Sequence, residues 1–312
     1  MTDSAGTMKV YAVSLLFTVL VGFSFLFSKL AVISATPLEL ITYRFNFAVI
    51  AVFAALALRI VHIDLKNKPF MKVFPIAATY GGFIAIQAIG IKYATSIEGG
   101  IIFAIVPIIT MVVASLMLHE KTTGLQKVFV SMSVTGVILM FVIGAGWDAG
   151  FNIKGIFLLF LSSLSMAFSN VLMRHARKIF TPTEISFVIV TGCCVAANIV
   201  TIINGIQNGT IMEYLRPMSD WKFAVSVIYL GVTCTFITSL LMCYMLAHME
   251  AVKATLFGNL STAISIVAGV LIFGEPLTIY HIICTMLIIT GVIGTSTAGR
   301  KKAEVEEPRD KE

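Results

Sequence analysis

The most chemically pointed residue in this chain is an arginine. Arg44 lies one to two turns into an apolar stretch that opens on Thr36-Pro37-Leu38-Glu39. A guanidinium inside a hydrocarbon layer is costly unless it pairs, faces water or snorkels to the interface. Three readings stay open: an ion pair with Glu39 or Glu98, snorkelling, or contact at an outer gate with the anionic group of a solute. Arg44, Glu39 and Glu98 are therefore the gating candidates. The other groups able to recognise a solute are hydroxyls and amides inside apolar runs: Ser24, Ser28, Tyr80, Gln87, Asn170, Thr235, Tyr244, Asn259 and Thr262. Serine and threonine can bond back to their own helix. A buried amide needs partners at both ends, so Gln87, Asn170 and Asn259 are expected to face other helices or water.

Reactive constellations are missing. There is no Gly-x-Ser-x-Gly, no paired aspartates and no His-Glu-x-x-His, the patterns that activate a nucleophile or hold a catalytic metal. The five cysteines, Cys193, Cys194, Cys234, Cys243 and Cys284, lie in apolar runs without zinc spacing and read as reduced, packed thiols. No enzyme, metal or cofactor is expected. Thr36-Pro37-Leu38-Glu39, Thr95-Ser96-Ile97-Glu98 and Thr181-Pro182-Thr183-Glu184 each fit a capping box at a helix start. Glu120 and Glu275 each close an apolar run and are expected to hold the turn into the next helix.

The elements that must position these groups are membrane helices. Of 312 residues, 58% are hydrophobic and 12% charged, against roughly a quarter charged in soluble domains. Mean hydropathy is +0.97. Spans of ~20 apolar residues are expected near 9–29, 38–59, 72–94, 97–119, 125–146, 154–174, 183–206, 222–247, 251–273 and 277–298. The fold class is thus an all-α polytopic membrane protein. The net charge of +6 points to no nucleic acid, because the Lys and Arg residues sit at span ends. With both termini cytoplasmic, only Lys29, Lys92, Lys154, Arg216 and Lys222 fall outside, as the positive-inside rule demands.

The chain also repeats itself. Thr36-Pro37-Leu38-Glu39-Leu40 returns as Thr181-Pro182-Thr183-Glu184-Ile185, and Val134-Thr135-Gly136-Val137-Ile138 as Ile289-Thr290-Gly291-Val292-Ile293. Extra residues in the 206–221 loop shift the register between the two matches. Five spans per unit would insert the second copy upside down, the architecture of alternating-access carriers. The expected organisation is a cytoplasmic N-terminus (1–8), a first repeat (9–146), a linker (147–153), a second repeat (154–298) and a disordered cytoplasmic tail (299–312). Symmetry breaks at Arg44 against Ile189, Gln87 against Met242, Phe25 against Asn170 and Asn259 against Ala104. A solute is expected to be read there.

Lys29, the Thr-Pro-x-Glu boxes, Tyr43-Arg44-Phe45, Ile91-Lys92-Tyr93-Ala94, His119-Glu120-Lys121 and Phe273-Gly274-Glu275-Pro276 occur in an order that resembles the drug/metabolite transporter superfamily, and within it the ten-helix EamA-type branch. The resemblance implies a central cavity surrounded by spans 1, 3, 4, 6, 8 and 9, with spans 5 and 10 mediating packing. By position it nominates Ser24, Ser28, Gln87, Pro107, Asn170, Tyr244, Asn259 and Thr262 as substrate-binding. It further implies an exporter of small metabolites such as amino acids or related zwitterions, in a bacterial inner membrane, as a monomer or homodimer. The alternatives are an exporter of lipophilic drugs or toxic cations and an importer of choline-like solutes. Relatives often carry Glu-Pro in span nine; Ser261-Thr262 stands there in this chain, so no coupling carboxylate is available at that site. The partners implied are a small-molecule solute and membrane lipids.

Overall fold

The computed structural model describes residues 4–66, 68–118, 123–147, 152–177, 179–248 and 251–306, and every regular element among them is helical. The α-helices are α1 Ser4–Gly22, α2 Ser24–Ser34, α3 Pro37–Ala57, α4 Phe74–Tyr93, α5 Ser96–Phe103, α6 Val106–Leu118, α7 Gly124–Trp147, α8 Ile153–Ala176, α9 Pro182–Asn208, α10 Trp221–Ile228, α11 Thr238–His248, α12 Ala251–Phe273 and α13 Ile279–Glu306. A π-helical stretch, Tyr229–Ile237, joins α10 to α11. Among the described residues, seven runs are long and apolar enough to cross a membrane: Met8–Ser34, Pro37–Ala57, Met71–Tyr93, Ser96–Ala114, Ile153–Met173, Thr183–Asn208 and Trp221–Met242. Gly124–Leu139, Leu260–Phe273 and Ile279–Gly294 are shorter apolar stretches. Outward residues such as Ile50, Phe53, Val128, Val195, Ile199 and Met286 are large and apolar, a surface that lipid rather than water solvates.

Sequence chemistry sets the helix starts. Glu39 accepts from the Thr36 N–H at 2.7 Å, while Thr36 Oγ1 accepts from the Glu39 N–H at 3.3 Å. Thr95 with Glu98 and Thr181 with Glu184 close the same reciprocal boxes. Each cap contributes about 0.5–2 kcal/mol. Glu275 departs from expectation. Its carboxylate accepts from the Ser96 N–H at 2.8 Å and the Ile97 N–H at 3.1 Å, capping α5 rather than its own turn. The cause is packing: α12 lies along α5, and Gly269, six residues before Glu275, sits so close that a Cβ on it would lie 3.0 Å from Ile97 Cγ1. Glu120 lies outside the described residues. Helix α13 runs on to Glu306, into the segment expected to be disordered; its Lys, Arg, Ala and Glu residues are strong helix formers.

The most extensive contacts couple the first half of the chain to the second. Helix α4 packs on α8, α7 on α13, α1 on α12, and α3 on α9. Helices α3 and α9 run antiparallel, because Glu184 at the start of α9 accepts from the Asp64 N–H just beyond the end of α3. The matching caps at Thr36 and Thr181 therefore lie at opposite ends of the bundle. At the α7–α13 seam the repeated glycines Gly136 and Gly291 allow close approach; a Cβ on Gly291 would stand 2.6 Å from the Phe129 carbonyl oxygen.

Candidate functional site

Three helices are interrupted at similar depth, and the interruptions border one cavity. The first separates α1 from α2 at Phe23, beside Gly22, where a Cβ would lie 2.6 Å from Ile264. The second separates α5 from α6 just before Pro107, which has no N–H to offer the Phe103 carbonyl. The third is the π-helical stretch, in which the Thr235 hydroxyl donates to the Leu230 carbonyl five residues back at 2.9 Å. The first and third are tied together: the Tyr229 hydroxyl and the Cys234 thiol both donate to the Leu20 carbonyl, at 2.7 and 3.3 Å.

The cavity holds about 510 Å³. Val21, Ser24 and Phe25 line it from the first interruption, Phe103, Ala104, Val106 and Pro107 from the second, and Cys234 and Thr235 from the third. Arg44, Tyr80, Phe83, Gln87, Thr110, Met166, Asn170, Ile189, Thr238 and Met242 complete most of the wall, and Arg177 and Ser186 stand toward the end where α8 finishes and α9 begins. Phe103 packs against Phe25 (ring centroids 5.5 Å apart) and Phe83 (6.0 Å).

Arg44 is 5% exposed, and its Nε–H donates to Thr235 Oγ1 at 3.1 Å. The guanidinium also lies beside the Tyr80 hydroxyl. Among the described residues, Arg44 joins no ion pair with a carboxylate; the ion pairs there are Lys68–Glu184 at 2.7 Å and Arg216–Glu213 at 2.9 Å. Lys29 donates to the Ile91 and Ala94 carbonyls, tying α2 to the end of α4.

Of the nominated positions, Ser24, Gln87, Pro107, Asn170 and Arg44 meet at the cavity. Ser28 is buried in α2 away from it. Thr262 donates to the Gly100 carbonyl at 3.2 Å, stitching α12 to α5. Tyr244 lies under the Lys9 ammonium, 6.0 Å from ring centroid to Nζ. Glu39 and Glu98 are engaged in their caps. The side chain of Asn259 lies outside the described residues. Every described member of the four asymmetric pairs lines the cavity: Arg44, Ile189, Gln87, Met242, Phe25, Asn170 and Ala104. Helices α3 and α9 contribute to the wall beyond the spans implied by resemblance. Thr235, which holds Arg44, and Tyr80 beside it were legible only as polar residues inside apolar runs.

A family model described as the EamA-like transporter family matches twice, over residues 8–142 and 153–297. The chain belongs to the EamA-like transporter family. This EamA-like protein is a multi-pass membrane transporter of the drug/metabolite superfamily. It is 33% identical over 295 residues to the uncharacterized transporter YcxC of Bacillus subtilis (strain 168), covering 94% of this chain and 95% of that one. An uncharacterized transporter of Archaeoglobus fulgidus is 23% identical over 294 residues, covering 91% and 98%. A solved crystal structure superposes with a TM-score of 0.59 at 19% identity, over 91% of this chain and 97% of that one, a likeness of fold alone. The two matched regions place Arg44, Gln87 and Pro107 in the first EamA-like unit and Asn170, Thr235 and Met242 in the second.

Proposed function

We infer that this transporter crosses a bacterial inner membrane ten times, as two inverted five-helix repeats with both termini cytoplasmic. It exports a small metabolite by alternating access, with amino acids and related zwitterions the first substrates to test. The observation that carries this reading is the cavity. Its volume of about 510 Å³ suits a small-molecule site, for which roughly 300–1,000 Å³ is usual. Both repeats wall it, and interrupted helices border it, as in carriers that bind at the membrane midplane. In this orientation Arg177 and Ser186 mark the cytoplasmic mouth. The aromatic cluster of Phe25, Phe83 and Phe103 and the Lys29 and Glu275 ties close the outer end. The opposed Thr36 and Thr181 caps support inversion, and the Lys and Arg distribution supports the orientation.

The lining presents Arg44 and Arg177 and, among the described residues, no carboxylate. That argues against the cationic-drug and choline-like alternatives, since a cation would meet like charge. The test is flux of a radiolabelled solute panel into proteoliposomes holding purified, folded protein. Saturable flux of at least one small metabolite, abolished when Ser186→Cys is blocked by an impermeant thiol reagent from one side only, is expected. No saturable flux across a broad panel would overturn the reading.

A further inference from the structure

A cation that is nine-tenths buried must be compensated, and among the described residues Arg44 meets no carboxylate. Its Nε–H goes to Thr235 Oγ1 at 3.1 Å and the Tyr80 hydroxyl stands beside it, both neutral oxygens. The acids at similar heights are spent elsewhere: Glu39 on the Thr36 N–H and hydroxyl, both at 2.7 Å, and Glu98 on those of Thr95 at 2.7 and 3.0 Å. A guanidinium carries five donors in a fixed fork, so further N–H groups remain at the cavity wall. Such a fork matches a carboxylate bidentately, and a buried charge left without a counter-charge costs several kcal/mol. The wall is mostly apolar, with Val21, Phe25, Phe83, Phe103, Met166 and Met242, and its remaining polar groups, such as Ser24, Gln87, Thr110 and Asn170, are neutral. For an ammonium, by contrast, the described lining offers only neutral acceptors.

We propose that Arg44 is the residue that reads the solute's carboxylate, and that the solute class is carboxylates with an apolar body, aromatic or branched aliphatic. An accompanying ammonium is tolerated but not required. Thr235 and Tyr80 position the fork. Arg177, exposed at the mouth, raises the local concentration of anions before they reach it. This rests on reading the cavity as a transport site.

The experiment uses the full-length protein in nanodiscs and three matched probes. 3-Phenylpropanoate carries only the carboxylate, phenethylamine only the ammonium, and phenylalanine both. Equilibrium binding is expected for 3-phenylpropanoate and phenylalanine within a few-fold of each other, with phenethylamine failing to compete. Arg44→Gln is expected to weaken 3-phenylpropanoate about 10- to 100-fold, the range set by losing a charge-assisted hydrogen bond, and Arg44→Lys by less. Phenethylamine binding as tightly as 3-phenylpropanoate would overturn the proposal. So would a folded Arg44→Gln protein with an unchanged Kd. If Arg44→Gln does not fold, Arg44→Lys and the wild-type ranking of the three probes decide. Failure of all three to bind overturns the carboxylate assignment, whereas the transport reading falls only if the wider flux panel is silent.

Discussion

Gly231→Ala should damage both stability and solute binding, through a backbone contact rather than a change in any binding side chain. Gly231 sits in the π-helical stretch against α3. A Cβ there would lie 2.5 Å from the Arg44 carbonyl oxygen, 2.8 Å from Phe47 Cβ and 3.0 Å from the Ala48 nitrogen. Ordinary contact begins at 3.4 Å, so the two segments must part by about 0.9 Å. Two of the three obstacles are backbone atoms, which cannot swing aside. Overpacking costs about 1–3 kcal/mol, and this site belongs at the upper end. Replacing a helical glycine returns at most ~1 kcal/mol of propensity, for a net loss of roughly 2 kcal/mol. The same parting stretches Arg44 Nε to Thr235 Oγ1 from 3.1 Å to about 4.0 Å, beyond hydrogen-bonding range. Gly192→Ala is the control, because its Cβ would meet only Ala77 Cβ at 3.8 Å. Thermal unfolding in one detergent should lower the apparent Tm of Gly231→Ala by roughly 5 °C, leave Gly192→Ala level or slightly higher, and weaken solute binding only in the former. If both variants melt alike and bind alike, the tight seat of the π-helical stretch on α3 is wrong.

Lys68→Met should cost roughly 2 kcal/mol, because it removes two bonds of 2.8 and 2.7 Å from Glu184, whose side chain is 4% exposed; adding Glu184→Gln should recover part of the loss in a double-mutant cycle of denaturation midpoints. Tyr214→Phe strips the hydroxyl that accepts from Asn46 Nδ2 at 2.9 Å and donates to Asn198 Oδ1 at 2.8 Å. A drop of about 2 kcal/mol, measured by unfolding, is expected. Pro107→Ala restores the missing N–H, so the α5–α6 interruption should heal. Solute flux should slow several-fold while the melting point holds or rises, and faster flux would refute a bending role.

Much of this was legible where chemistry is local. A threonine and a glutamate three residues after it suffice to define a cap, and the three boxes at Thr36, Thr95 and Thr181 form as their sequences dictate. Pro107 announces its interruption because the missing N–H is written in the residue itself. The broken symmetry at Arg44, Gln87, Phe25 and their repeat partners marked the cavity wall, since scaffold positions are shared by both units and reading positions need not be. Less local features left no signature. The interruption at Phe23 lacks a proline, and the close seat of the neighbouring Gly22 on Ile264 is a tertiary contact that the local sequence does not name. The π-helical stretch depends on Gly231 seating against α3 and on Thr235 finding Leu230. Glu275 looked like a turn residue because nothing in its neighbourhood names α5 as its partner.

Tyr214 belongs to the loop that is longer in the second repeat, and it is half-buried against the helices. Its hydroxyl joins Asn46 of α3 to Asn198 of α9, its carbonyl takes the Tyr43 hydroxyl, and Thr42 meets Thr201 at 2.7 Å nearby. At the opposite end, Lys68 beyond α3 is clamped to Glu184 of α9. One helix from each duplicated unit is thus pinned to the other at both ends, as a strut that cannot slide. In the proposed transport cycle the mechanical halves would then not be the two repeated units: α3 and α9 would serve as a common axle, with the interrupted helices moving about it.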